Sequence, residues 1–193
     1  MKLLTSLSSF AALAITCHAF VSPSSALQKR DVCADGIVTS TSTIAVGDKI
    51  VDVSTVNCPA SIKSRFASKR ESSVTVNVCD AMCSNSCNSD SGNQAPSQSD
   101  CGTIVNAIEI MSGSGTMDST FNVEPDDMMQ LTYNTCRFFF ENMSGNTLEY
   151  CWDALSDMAS AAVTECFPST QTLYSEGLCQ ASSGMWAVGA AHA

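Results

Sequence analysis

LTYNTCRFFFENMSGNTLEYCWDALSDMASAAVTEC, residues 131–166, decides the fold, because its hydrophobic period changes partway along. Met128 to Tyr133 and Cys136 to Phe140 read as two strands around a short turn, a hairpin. From Leu148 the apolar residues recur every three to four positions: Cys151, Trp152, Leu155, Met158, Ala159, Ala162, Val163 and Cys166. Glu149, Asp153, Asp157 and Glu165 take the other side, which describes a helix with one buried and one wet face. Asn146, with Glu149 three residues on, is a capping pair and sets the expected start of this longest helix.

Working outward, Asp100 caps an upstream helix whose apolar face carries Cys101, Ile104, Val105, Ile108 and Met111, and SGSGT ends it. Phe121 to Val123 reads as a short strand, Glu124-Pro125-Asp126-Asp127 as a turn, and Met185 to Ala190 as a closing strand. The expected class is α+β, an antiparallel sheet with two helices packed on one face. Residues 31–78 add a β-rich segment, since Ile50 to Val56 and the run Val74, Val76, Val78 alternate with polar residues. Residues 79–100, rich in Ser, Asn, Gly and Gln, have little to bury and read as a surface linker tied down by cysteines.

Eleven cysteines are present. Cys17 lies in a leader-like start; Cys33, Cys58, Cys79, Cys83, Cys87, Cys101, Cys136, Cys151, Cys166 and Cys179 follow it. An even number behind an export signal points to five disulfides. Connectivity stays open, with one exclusion. Cys151 and Cys166, fifteen residues apart in sequence, would lie about 22 Å apart along a helix at ~1.5 Å per residue. A disulfide needs Cα atoms within ~7 Å, so these two do not pair with each other. The four-residue spacing of Cys79, Cys83 and Cys87, with Cys101 as a fourth thiolate, also invites a zinc reading, but it departs from the C-x₂-C spacing of zinc knuckles. No metal or cofactor is expected.

Lys2, the apolar run LLTSLSSFAALAIT and the small residue Ala19 have the form of a signal peptide over residues 1–19. The run is shorter than the ~20 apolar residues of a membrane span, and membrane insertion is not expected. Residues 20–30 end in Lys29-Arg30, which resembles a kexin-type processing site and would leave residues 31–193 as one secreted domain. A second dibasic pair, Lys69-Arg70, is a further candidate for cleavage.

The balance from residue 31 onward is six basic against nineteen acidic side chains, 6 − 19 = −13. Residues 71–193 carry Arg137 alone against fifteen carboxylates. Such a surface repels nucleic acid and anionic lipid, both of which bind through clustered Lys and Arg. Nucleophilic catalysis needs a base beside the nucleophile, and the one histidine past the leader, His192, sits next to the end of the chain where fraying is expected. Paired carboxylates for glycoside hydrolysis are available among Glu141, Asp126 and Asp127, but a chain this acidic supplies such pairs without design. The reading is therefore non-enzymatic.

Two surface features remain. Asn142-Met143-Ser144 is an N-glycosylation sequon in an expected loop. Phe138, Phe139 and Phe140 cannot all face one side of a strand. At least one ring points away from the helices, either as a ligand face for an extracellular protein or glycan, or beneath N-terminal strands that cover the sheet's second face.

The export signal, the dibasic site, the many cysteines and the acidic Ser/Thr-rich body together resemble fungal secreted cysteine-rich proteins. From residue 100, the segments DCGTIVNAI, FNVEP, LTYNTCRFFFEN, the cysteine-bearing helix and GLCQASSGMWAV resemble, in order and cysteine placement, necrosis-inducing effectors and killer-toxin α/β sandwiches. That resemblance implies an effector-like or toxin-like module acting outside the cell. A glycan-binding module is the alternative.

Overall fold

A computed structural model describes Cys33 and residues 36–58, 74–92, 94–113, 118–170 and 173–193. Twelve elements follow one another: β1 (Ile37–Val46), β2 (Lys49–Asn57), β3 (Val76–Asn77), β4 (Cys83–Asn88), α1 (Gln98–Gly113), β5 (Thr120–Val123), β6 (Asp127–Tyr133), β7 (Cys136–Asn142), β8 (Leu148–Cys151), α2 (Trp152–Cys166), β9 (Glu176–Ala181) and β10 (Trp186–His192). Seven strands form one sheet in the order β1-β2-β6-β7-β10-β9-β4, antiparallel at every step. A smaller sheet has the order β3-β8-β5. The fold is α+β, as expected, with the helices packed against the large sheet.

The alternation within the triple phenylalanine sorts the two sides of that sheet. Phe138 and Phe140 enter the main core with Ile104 and Ile108 of α1 and Leu155 and Ala159 of α2. Phe139 turns the other way and packs with Val56, Met128 and Ala191. The main core is aromatic at one end, where Phe140 stacks on Tyr150 at 4.3 Å and on Trp186 at 5.7 Å. Burial of Tyr150, with a smaller push from the Asp157 carboxylate, raises its phenol to about 12. At the opposite side α2 comes close to β9, because a side chain on Gly177 would meet Ala162 and the Cys166 sulfur at 3.0 Å.

Several elements differ from their sequence reading. The second helix starts at Trp152, not at Asn146, because Leu148 to Cys151 pair with β5 as strand β8. Sheet hydrogen bonding there outweighs a helical period that Leu148 shares by spacing alone. Asn146 and Glu149 form no cap, and Cys151 is the N-cap without a side-chain bond. At sixteen residues α1 is one longer than α2. Asp100 stands in its first turn instead of capping it, and Ser97 supplies the carbonyl that accepts from the amides of Asp100 and Cys101. The segment 79–100 is no plain linker, since Cys83–Asn88 forms edge strand β4 against β9. The N-terminal strands do not roof the sheet. They extend it sideways, β2 pairing with β6 through Asp52–Asn57.

All ten cysteines from Cys33 onward are bridged: Cys33–Cys58, Cys79–Cys151, Cys83–Cys179, Cys87–Cys166 and Cys101–Cys136. Cys151 and Cys166 take separate partners. The bridges divide at residues 59–78: Cys33–Cys58 lies wholly before that stretch and the other four wholly after it. Lys29, Arg30, Lys69 and Arg70 lie outside the described residues. A chain cut anywhere between Cys58 and Cys79 should therefore run as two bands on a denaturing gel without reductant. The same material should elute as one species under native conditions, held by β2–β6 pairing and by Val51 and Val53 in the core. A single non-reduced band from cut protein would contradict this connectivity.

Candidate functional site

Phe138, Phe139 and Phe140 are all 0% exposed. Of the two alternatives for these rings the ligand face is not formed, because Phe139, the one ring that leaves the helix side, is sealed by its neighbours. Phe139 lies under the Arg137 guanidinium, 5.7 Å from its ring centroid, and beside Val56, Met128 and the partly buried Cys33 and Cys58.

Asn142 is also 0% exposed. Its Nδ2 donates to the carbonyls of Val123 and Asn146, each at 2.8 Å, and its Oδ1 accepts from the Ser144 amide and hydroxyl. The sequon thus holds a turn together, and a glycan on Nδ2 would displace both carbonyls. An endoglycosidase should leave unchanged the mass of protein expressed through a eukaryotic secretory pathway. Asn142→Ala should destabilise by about 1–3 kcal/mol, since it leaves buried backbone groups without partners; a mass decrease on glycosidase treatment would refute the structural role.

His192 does not fray. It is the last residue of β10, and its amide donates to the Ser175 carbonyl at 2.8 Å. Ser175 Oγ and His192 Nδ1 are both buried without partners, not bonded to one another. Ser175 is 1% exposed, so this pair offers no nucleophile to a substrate. Asp127 accepts from Asn57 at 2.6 Å, and Asp126 takes a turn conformation with φ 63°. Among the described residues no group of three His, Cys, Asp or Glu side chains could hold a metal ion.

The sheet face opposite the helices brings together what the sequence left scattered. Arg137 projects there from β7 and Glu176 from β9. Glu176 is 1% exposed and accepts from Asn88 Nδ2 at 3.0 Å and from Ser91 Oγ at 2.7 Å. Arg137 Nη2 in turn donates to Ser91 Oγ at 3.4 Å, so the hydroxyl relays the cation to the carboxylate. Burial raises the Glu176 pKa above its ordinary value despite those hydrogen bonds and the Arg137 charge. Burial likewise lowers that of Arg137, against the pull of Glu176 and Glu141.

A raised carboxyl pKa means the folded state holds its proton more tightly than the unfolded one. The contribution of Glu176 to stability is full below its unfolded value, near 4.5, and is lost as pH rises through the folded value. Asp100 has the opposite sign. Burial raises its pKa, but hydrogen bonds from Thr135 and Asn134 and the Lys49 charge prevail and leave it lowered. Its contribution is full above 3.8 and is lost as pH falls through the folded value. Thermal midpoints should therefore decline on the neutral side in a way that Glu176→Gln flattens, and on the acid side in a way that Asp100→Asn flattens. Unchanged pH profiles in these variants would show the two groups to be energetically silent.

Further along the same face, β1, β2 and β6 line a shallow open depression of about 590 Å³ with Thr41, Thr43, Asp52, Ser54, Gln130 and Thr132. Gln130 Nε2 donates to Ser54 Oγ at 3.0 Å, while its Oε1 is buried with no partner. Hydroxyls and one carboxylate give this surface both donors and acceptors and no positive charge. The alternation in IVDVSTV announced the polar side of β2, but its union with Gln130 and Thr132 arises only from β2–β6 pairing. Comparisons with known protein families, curated proteins and solved structures match none of them to this chain.

Proposed function

We propose that this protein works outside the cell as a non-enzymatic, effector-like or toxin-like binding module. The observation that carries the reading is the closure of all ten cysteines from Cys33 onward into five bridges, a state that forms and persists in oxidising compartments. No helix among the described residues is long and apolar enough to cross a membrane. The acidic surface favours targets other than nucleic acid or anionic lipid. Expression through a eukaryotic secretory pathway tests the location: the protein should accumulate in the medium without a reactive thiol. Retention inside the cell with free cysteines would overturn the reading. Applied to intact target cells, the oxidised protein should act, and the reduced and alkylated protein should not.

A second reading, glycan binding, draws support from the hydroxyl-lined depression, with Asp52 as its one carboxylate. On a glycan array, specific signal that weakens in both Asp52→Ala and Gln130→Ala would favour it. Absence of signal in the native protein would remove it.

A further inference from the structure

The two edges of the large sheet are built differently. Strand β4 is six residues of Cys, Ser and Asn with no β-branched side chain, and bridges from Cys83 and Cys87 tie it to β9 and α2. A short, polar, doubly fastened edge is a poor template for another strand. Strand β1 is ten residues long and contains no charge and no proline. Seven of the ten (Ile37, Val38, Thr39, Thr41, Thr43, Ile44 and Val46) are β-branched, and the first seven positions are exposed. Native proteins usually blunt such an edge with Lys, Pro or brevity. A bulge between Val38 and Ser40 is the one irregularity.

The side-chain order along this edge has its own symmetry. Thr39-Ser40-Thr41-Ser42-Thr43 reads the same from both ends, with Thr41 at the centre. Laid antiparallel on a second copy, it sets Thr41 against Thr41 and Ser40 against Ser42; the bulge at Thr39 ends the match there, since Val38 faces the Val56 side of the sheet and Ile44 the helix side. Facing hydroxyl pairs, Thr41 with Thr41 above all, are favourable cross-strand neighbours. Charge points to the same occupant. Among the described residues, 36–58 carry Lys49 against Asp48 and Asp52, whereas 74–193 carry Arg137 against fourteen carboxylates. An approach through β1 brings two copies together at their least repulsive part.

We propose that β1 is a self-pairing edge, and that two copies of this protein join antiparallel through it, centred on Thr41, into one continuous sheet. Facing Cα atoms in such a pair lie about 4.5–5.5 Å apart, within the ~7 Å reach of a disulfide. Sedimentation of the purified oxidised protein should show a dimer. Thr41→Lys sets two like charges opposite each other and should weaken that dimer about fivefold or more while leaving the fold intact by circular dichroism. Thr41→Cys should form a disulfide-linked dimer on a non-reducing gel, and Ser42→Cys, which faces Ser40 of the second copy, should not. A monomeric wild-type protein, equal cross-linking at both positions, or a Thr41→Lys dimer of unchanged affinity would each overturn the proposal. The sedimentation result stands even if an added cysteine disturbs oxidation.

Discussion

Phe140→Ala should lower the unfolding free energy by about 4–5 kcal/mol, the largest loss expected of any single substitution in this protein. The ring is 0% exposed and meets three aromatic neighbours: Tyr150 and Trp186 stacked, and Phe121 edge-on at 6.1 Å. Truncation removes the transfer energy of the ring and leaves a cavity that rigid aromatic walls cannot close. It also removes aromatic pairs worth about 0.5–1.5 kcal/mol each beyond their burial. The loss couples two sheets, because Tyr150 belongs to β8 and Trp186 to β10. Urea unfolding checks it: the midpoint should fall while the slope stays constant. A loss below about 2 kcal/mol, the low end for large-to-small core changes, would mean that the aromatic end repacks freely.

The second large effect belongs to the Cys101–Cys136 bridge, which joins α1 to β7 inside the core. Both residues are buried, at 2% and 0% exposure, and 35 residues separate them. Replacing both by alanine releases that loop in the unfolded chain, which corresponds to about 3–4 kcal/mol on the chain-entropy account. The Cys33–Cys58 bridge spans 25 residues and sits in the smaller cluster on the opposite sheet face. Chain entropy alone makes the two nearly equal, since loop length enters as a logarithm. Core packing makes the Cys101–Cys136 loss the larger, because two buried sulfurs vanish with it. Thermal unfolding of the two double variants side by side separates these accounts: equal losses favour entropy, and a greater loss for Cys101/Cys136 favours packing.

Local pattern was readable wherever one face of an element is buried and the other is wet. The alternation in β2 and the hairpin of β6 and β7 could be read directly, as could the apolar face of α1. Local pattern failed where the same residues satisfy two periods. Leu148 and Cys151 fit a helix by spacing, but their backbone groups are used in the sheet that β8 forms with β5 and β3. It also failed where composition hid a strand: CSNSCN has no hydrophobic alternation, yet β9 supplies its partner and two bridges hold it there. Strands β9 and β10 bury nearly every side chain, so no polar face announced the first of them.

The functional residues divided along the same line. The sequon and the triple phenylalanine stood out as motifs, and burial removed both from the surface. Gln130 carried no signal of its own and became a neighbour of Asp52, seventy-eight residues away, on one open face.

By itself the sequence determined the α+β class, the acidic surface, the paired state expected of ten cysteines, and the uncharged, β-branched character of β1, because composition and short-range period express local preference for water or core. Only the tertiary structure decided the order of the strands, the partner of each cysteine, the sealing of Phe138 to Phe140 and Asn142, and the exposure of β1 as an edge. Those depend on contacts between residues far apart in the chain, where burial and sheet hydrogen bonding override what any short segment prefers.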